Sequence, residues 1–127
     1  MKEHLLEKIK EQEQNLCTSD ALERLRTRYK FIQPDNISEY LKRYPFLVAD
    51  LDRTYEIKCQ YFDTSPMLLF YISDIGTLES ATLSAYINTE TSREKAKDIF
   101  SQFEKEWWEN MSKDAKKRFM VDIINNV

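Results

Sequence analysis

A chain of 127 residues, 42% hydrophobic and 13% aromatic, has the length and apolar content of one compact domain with a real core, which excludes a disordered or low-complexity protein. Its net charge of −3, from 19 basic and 22 acidic residues, disfavours general nucleic-acid affinity, because that affinity is mostly phosphate neutralisation. Gly76 is the only glycine and His4 the only histidine, so glycine-rich phosphate loops and histidine-based triads lack their raw material.

Residues 2–16 read as a helix with Leu5, Ile9 and Leu16 on one side. Gln12 interrupts that apolar stripe, and so narrow a stripe asks for a packing partner. Cys17-Thr18-Ser19-Asp20 breaks the pattern and offers a cap, with Glu23 three residues after Asp20. Leu22, Leu25, Tyr29 and Ile32 follow at helical spacing, which predicts a second helix running to Pro34. Asn36 with Glu39 caps a short helix bearing Ile37, Tyr40, Leu41 and Tyr44. Pro45 suits the first turn of a longer helix whose stripe is Val48, Leu51, Tyr55, Cys59 and Phe62.

The texture changes at Thr64. From there to Ser92 there is no Lys or Arg. The runs 67–72 and 82–87 read as two strands joined by a loop over 74–80 that holds the sole glycine. Thr91 and Glu94 make a capping-box signature for a helix with the stripe Ala96, Ile99, Phe100, Phe103 and Trp107. A basic segment, 113–118, then leads into a last predicted strand over 119–124. The expected fold is α+β. Amphipathic helices over 1–33 pack with an α-β-β-α-β core over 34–127 as one domain. Its sheet is a three-stranded split βαβ arrangement covered by helices, with the last strand beside the first.

Phe103-Glu104-Lys105-Glu106-Trp107-Trp108 carries both tryptophans. Neighbouring helical residues point about 100° apart, so Trp107 joins the core stripe and Trp108 points a quarter-turn away, either packed under the N-terminal helices or exposed to a partner. These residues resemble a family of small bacterial proteins, mainly cyanobacterial, whose activity is not established. The matching features are Pro45-Phe46-Leu47, Leu69-Phe70-Tyr71-Ile72, Ser92, Glu94 and Ala96, the tandem-Trp motif, and Met120 to Ile124. They cover roughly residues 44–124. Tyr44 stands where the family has Asn, and Glu109-Asn110 where it has Leu-Asp. The resemblance implies the α-β-β-α-β core and transfers no catalytic residue.

No catalytic, cofactor or metal site is expected. Asp50 and Asp52 are two apart on a predicted helix, so they diverge and read as surface charges. Glu104 and Glu106 diverge likewise, and one of them is free to orient an indole or meet a cation. Cys17 and Cys59 match no metal or redox spacing and read as reduced, partly buried thiols. The amino terminus lacks an apolar signal core and the run 67–72 is too short to span a bilayer, so a cytoplasmic protein without membrane contact is expected.

What remains is a surplus of aromatics, the favoured anchors of protein interfaces. The expected function is a non-catalytic protein-binding module, adaptor or antitoxin-like, that self-associates or binds a protein partner. Its expected contacts are Trp108, Glu104, Leu5, Ile9, Arg24 and Arg28, with no small-molecule substrate. The alternative is a nucleic-acid-binding or regulatory module using the basic clusters 24–30 and 113–118.

Overall fold

The structure, a computed structural model, describes residues 18–125. Thr18 opens the first helix, α1 (Ser19–Arg28), by accepting the Ala21 N–H on its Oγ1 at 3.1 Å. The cap is therefore Thr18, and Asp20 lies in the first turn, where its charge suits the helix dipole. The helix stops at Arg28, five residues short of the predicted end. Tyr29–Phe31 is instead a strand, β1, paired in parallel with β2 (Met67–Ile72). Arg28-Tyr29-Lys30-Phe31 alternates charged and aromatic residues while Leu25, Tyr29 and Ile32 keep helical spacing, so both periods fit. Pairing with Met67–Leu69 decides between them, which is tertiary override of a local pattern.

Pro34 does not end a helix but begins one. It occupies the first turn of α2 (Pro34–Arg43), where its missing N–H costs nothing. Asn36 is thus inside the helix and is not its cap. The residue at the N-cap, Gln33, spends its side chain elsewhere: its Oε1 accepts the Tyr71 N–H at 3.0 Å, continuing the β1–β2 ladder past the end of β1. Pro45 sits in the turn before α3 (Leu47–Phe62), and its carbonyl accepts the Val48 N–H.

The buried face of α3 runs through Leu47, Val48, Leu51, Thr54, Lys58 and Phe62, while Tyr55 is half-buried and Cys59 is an exposed free thiol. The predicted stripe is therefore rotated by one residue in its middle. Two polar side chains take inward positions because each finds a partner at once. Thr54 Oγ1 donates to the Asp50 carbonyl at 2.7 Å, and Lys58 Nζ donates to the Asp63 carbonyl at 2.8 Å. Asp63 has φ 48°, so this bond closes a helix end in the left-handed region without a glycine.

β2 pairs antiparallel with β3 (Thr82–Thr89). A long helix, α4 (Arg93–Asn110), and a single turn, α5 (Ala115–Arg118), then lead to β4 (Phe119–Asn125), which pairs in parallel with β3. The predicted capping box does not form. Ser92 is the N-cap of α4 and makes no side-chain cap bond, while the Thr91 N–H turns back to Thr89 Oγ1 at 3.2 Å.

The fold is α+β, with a four-stranded mixed sheet in the order β1-β2-β3-β4. The split βαβ sheet is corrected on two counts. β4 lies beside β3 and not beside β2, and the place next to β2 is taken by β1, which sequence spacing assigned to a helix. Residues 19–31, grouped with the N-terminal helices by sequence, thus supply a helix and an edge strand to this same core.

All described helices pack on one face of the sheet. Tyr29 donates its hydroxyl to the Leu51 carbonyl of α3 at 2.6 Å, the Tyr71 ring meets Tyr40 of α2 at 5.8 Å, and Phe119 meets Trp107 of α4 at 5.9 Å. Alternation along a strand puts Tyr29, Met67, Leu69, Leu83, Ala85, Ile87, Phe119 and Val121 on this face, and all are buried. The core lies between them and Leu25, Leu41, Leu51 and Phe103.

Candidate functional site

The end of α4 is bolted to α3 by a chain of buried polar contacts. Trp107 is in the core, and its Nε1–H donates to Thr54 Oγ1 at 2.9 Å. One turn earlier on α3, Asp50 accepts the Ser112 N–H at 3.2 Å and the Ser112 hydroxyl at 3.0 Å. Ser112 Oγ in turn accepts the Ala115 N–H at 3.1 Å, which starts α5. Asp50 is therefore not a surface charge. It is buried, and its carboxylate binds the turn between α4 and α5 while Arg53 stands 3.9 Å away. The predicted divergence of Asp50 and Asp52 holds, with one carboxylate inward and the other at the surface.

That anchoring leaves Trp108 where the helical twist puts it, a quarter-turn away on the surface. It is 53% exposed, and Lys116 Nζ lies over its ring at 4.4 Å from the centroid. Its ring also leans on Trp107 at 6.2 Å. A shallow depression of about 490 Å³ is lined by Ser101, Glu104, Lys105, Trp108 and Glu109. A second, of about 520 Å³, opens between α4 and β4 and shares Ser101 and Glu104 as its wall. Arg93, Lys97 and Phe100 continue this second depression along α4, and Asp122 and Ile123 close it on the strand side. The two form one mixed-charge trough beside an exposed aromatic ring.

Trp108 and Glu104, picked out together by sequence, meet in this trough. Glu106 does not: it faces Tyr61, whose phenol it holds above the usual range by hydrogen bonding. Arg24 and Arg28 lie elsewhere, between α1 and α3. Arg24 grips Asp52 with NH2–Oδ2 at 2.6 Å and Nε–Oδ1 at 3.2 Å, and Arg28 reaches the same carboxylate at 3.2 Å while stacking over Tyr55. The bond to Asp52 raises the Arg24 pKa. These two arginines clamp α1 onto α3. Leu5 and Ile9 lie outside the described residues, as do His4 and Cys17.

Two members of the second basic cluster are also engaged. Arg118 donates to the Tyr40 hydroxyl at 3.2 Å and lies 3.8 Å over the Tyr44 ring, and Lys116 covers Trp108. Lys116 is the neighbour of Trp108 that sequence reasoning did not connect to it. Eight residues and a chain reversal separate them, so no local spacing signals the contact. Among the described residues, no three His, Cys, Asp or Glu side chains converge to hold a metal, and no helix is long and apolar enough to cross a membrane. Comparison with known proteins finds no matching family model, no matching curated protein and no matching solved structure.

Proposed function

We propose that this chain is a non-catalytic protein-binding module of the adaptor kind, which docks its partner on the α4 trough around Trp108 and Glu104. The observation that carries the reading is the exposure of Trp108 on a rigid support. A large ring held outward by a buried neighbour and braced by Lys116 loses little freedom on binding, which is what an interface anchor requires. The polar rim of Glu104, Lys105 and Glu109 supplies orientation without a strong net charge. The nucleic-acid reading ranks second, because Arg24, Arg28 and Arg118 already hold internal partners.

The test is parallel recovery of partners from the native host with the full chain and with Trp108→Ala, identified by mass spectrometry, with Arg24→Ala as a control on the far helix. A protein held by the wild type and by Arg24→Ala but lost by Trp108→Ala supports the reading. Identical recovery by all three overturns it. So does a nucleic acid whose binding weakens steeply with salt and on charge reversal within 113–118.

A further inference from the structure

The helices cover one face of the sheet, and among the described residues nothing covers the other. Three of the five exposed large hydrophobics among the described residues, Ile32, Ile72 and Met120, lie on this open face by strand alternation. Leu68, Phe70 and Tyr86 stand half-buried between them, with the Phe70 and Tyr86 rings edge to face at 5.4 Å. A contiguous apolar patch of this kind marks an interaction surface.

We infer that the open face is a homodimer interface, in which the sheets of two copies pack face to face about a two-fold axis parallel to the strands. This surface meets the Trp108 trough only at Asp122 on the edge strand and is otherwise separate from it, so the inference does not rest on the reading above. What selects a second copy as occupant is the order of residues across the sheet. In one transverse row the register sets Lys30, Leu68, Tyr86 and Asp122 side by side on β1, β2, β3 and β4. A two-fold axis running between β2 and β3 reverses that order in the other copy and keeps each row opposite its own image. Lys30 then faces Asp122 of the second copy at both ends of the row, and Leu68 faces Tyr86 twice at its centre.

The next row is complementary in size. The Ile32 N–H donates to the Leu69 carbonyl at 3.0 Å, which prolongs the β1–β2 ladder and sets Ile32 opposite Phe70. Phe70 pairs with Ser84, and Ser84 with Met120. The same axis lays large Phe70 over small Ser84 of the second copy, and Ile32 over Met120, each twice. Ser84 is only 2% exposed and its hydroxyl has no hydrogen-bond partner among the described residues, so a small polar group sits at the dip of an otherwise apolar row. Aligned sheets pack about 10 Å apart, close enough for a lysine on one to reach a carboxylate on the other. Asp122 uses Oδ1 to accept the Ile123 N–H at 2.7 Å, a bond that also blunts the free edge of β4 and leaves Oδ2 for a cation. An isologous contact of this form closes on itself and leaves both Trp108 surfaces outward.

The experiment is sedimentation equilibrium of the full chain over a concentration series, with each variant's thermal unfolding recorded to show that it is folded. The wild type is expected to dimerise. Lys30→Glu and Asp122→Lys each place like charges opposite one another at two symmetry-related positions and weaken the dimer roughly tenfold or more. The Lys30→Glu/Asp122→Lys double variant restores opposite charges and recovers the wild-type constant to within about threefold. Met120→Glu, at a side chain 56% exposed in one copy, abolishes the dimer while the monomer stays folded. A wild-type chain that stays monomeric overturns the proposal, and amide protection of the open face in that monomer assigns the cover to residues outside 18–125. A dimer indifferent to Met120→Glu overturns it too, as does a double variant no better than its singles.

Discussion

The Trp107 indole N–H and the Thr54 hydroxyl, 53 residues apart in sequence, meet at 2.9 Å in the core and join α4 to α3. The Thr54 hydroxyl in turn donates a hydrogen bond to the Asp50 carbonyl at 2.7 Å, so one small side chain serves as acceptor and donor at once. Thr54→Val keeps the shape and strands the indole donor, which costs roughly 1–3 kcal/mol. Thr54→Ser keeps the hydroxyl and is expected to lose less. Urea denaturation of the two variants checks the order, and a Thr54→Val protein as stable as Thr54→Ser contradicts it.

The two tryptophans are expected to report separately. Trp107→Phe leaves only Trp108, 53% exposed, and its emission is red-shifted and open to iodide. Trp108→Phe leaves only the core ring, whose emission is blue-shifted and shielded. Removing the exposed ring changes unfolding stability by no more than about 0.5 kcal/mol, the usual range for surface sites. Steady-state fluorescence with quencher titration, run beside a denaturation curve, decides both points.

Asp52 holds Arg24 and Arg28 together at the contact between α1 and α3. Asp52→Asn weakens that clamp, and since Arg24 is largely exposed, the loss is expected to be only about 1 kcal/mol and to shrink at high salt. Thermal melts in low and high salt measure it. A loss independent of salt would point to packing of the arginine stems instead of charge.

Alkaline stability is set in part by two buried phenols. Burial pushes Tyr29 well above its ordinary value of 10.0, and burial also raises Tyr40, whose neighbour Arg118 pulls in the opposite direction. The folded state therefore keeps protons that the unfolded chain gives up. That contribution is fully present below pH 10.0, the unfolded value, and is lost as pH rises through the higher folded values. Chemical denaturation across this window is expected to show falling stability above pH 10.0, with a shallower fall in Tyr29→Phe. Equal slopes in the two proteins would remove Tyr29 from the account.

The legible part of this protein was local. The 67–72 and 82–87 strands, the long Trp helix and the last strand follow from apolar periodicity, and each forms within a few residues of its expected bounds. The placement of Trp107 inside was likewise implied by helical geometry, because adjacent residues diverge by about 100° wherever the helix lies, but the exposure of Trp108 was decided only by how the helices pack. The caps were less legible. Asn36 and Thr91 carry suitable side chains, but Pro34 and Ser92 occupy the first-turn and cap positions, and the choice among neighbouring polar residues rests on loops that tertiary contacts set.

By itself, the sequence determined the fold class, the long elements and the divergence of Asp50 from Asp52, since these follow from the fixed periods of helix and strand. Only the tertiary structure decided which of the two aspartates turned inward, because Ser112 and Arg24 are distant in the chain and neither spacing nor composition connects them to the pair. Only the tertiary structure made Tyr29–Phe31 an edge strand, since its residues suit both periods and the pairing with β2 breaks the tie. The open face of the sheet belongs to the same class. Its rows are assembled from four separate stretches of chain, and their order across the sheet exists only once the register between strands is set.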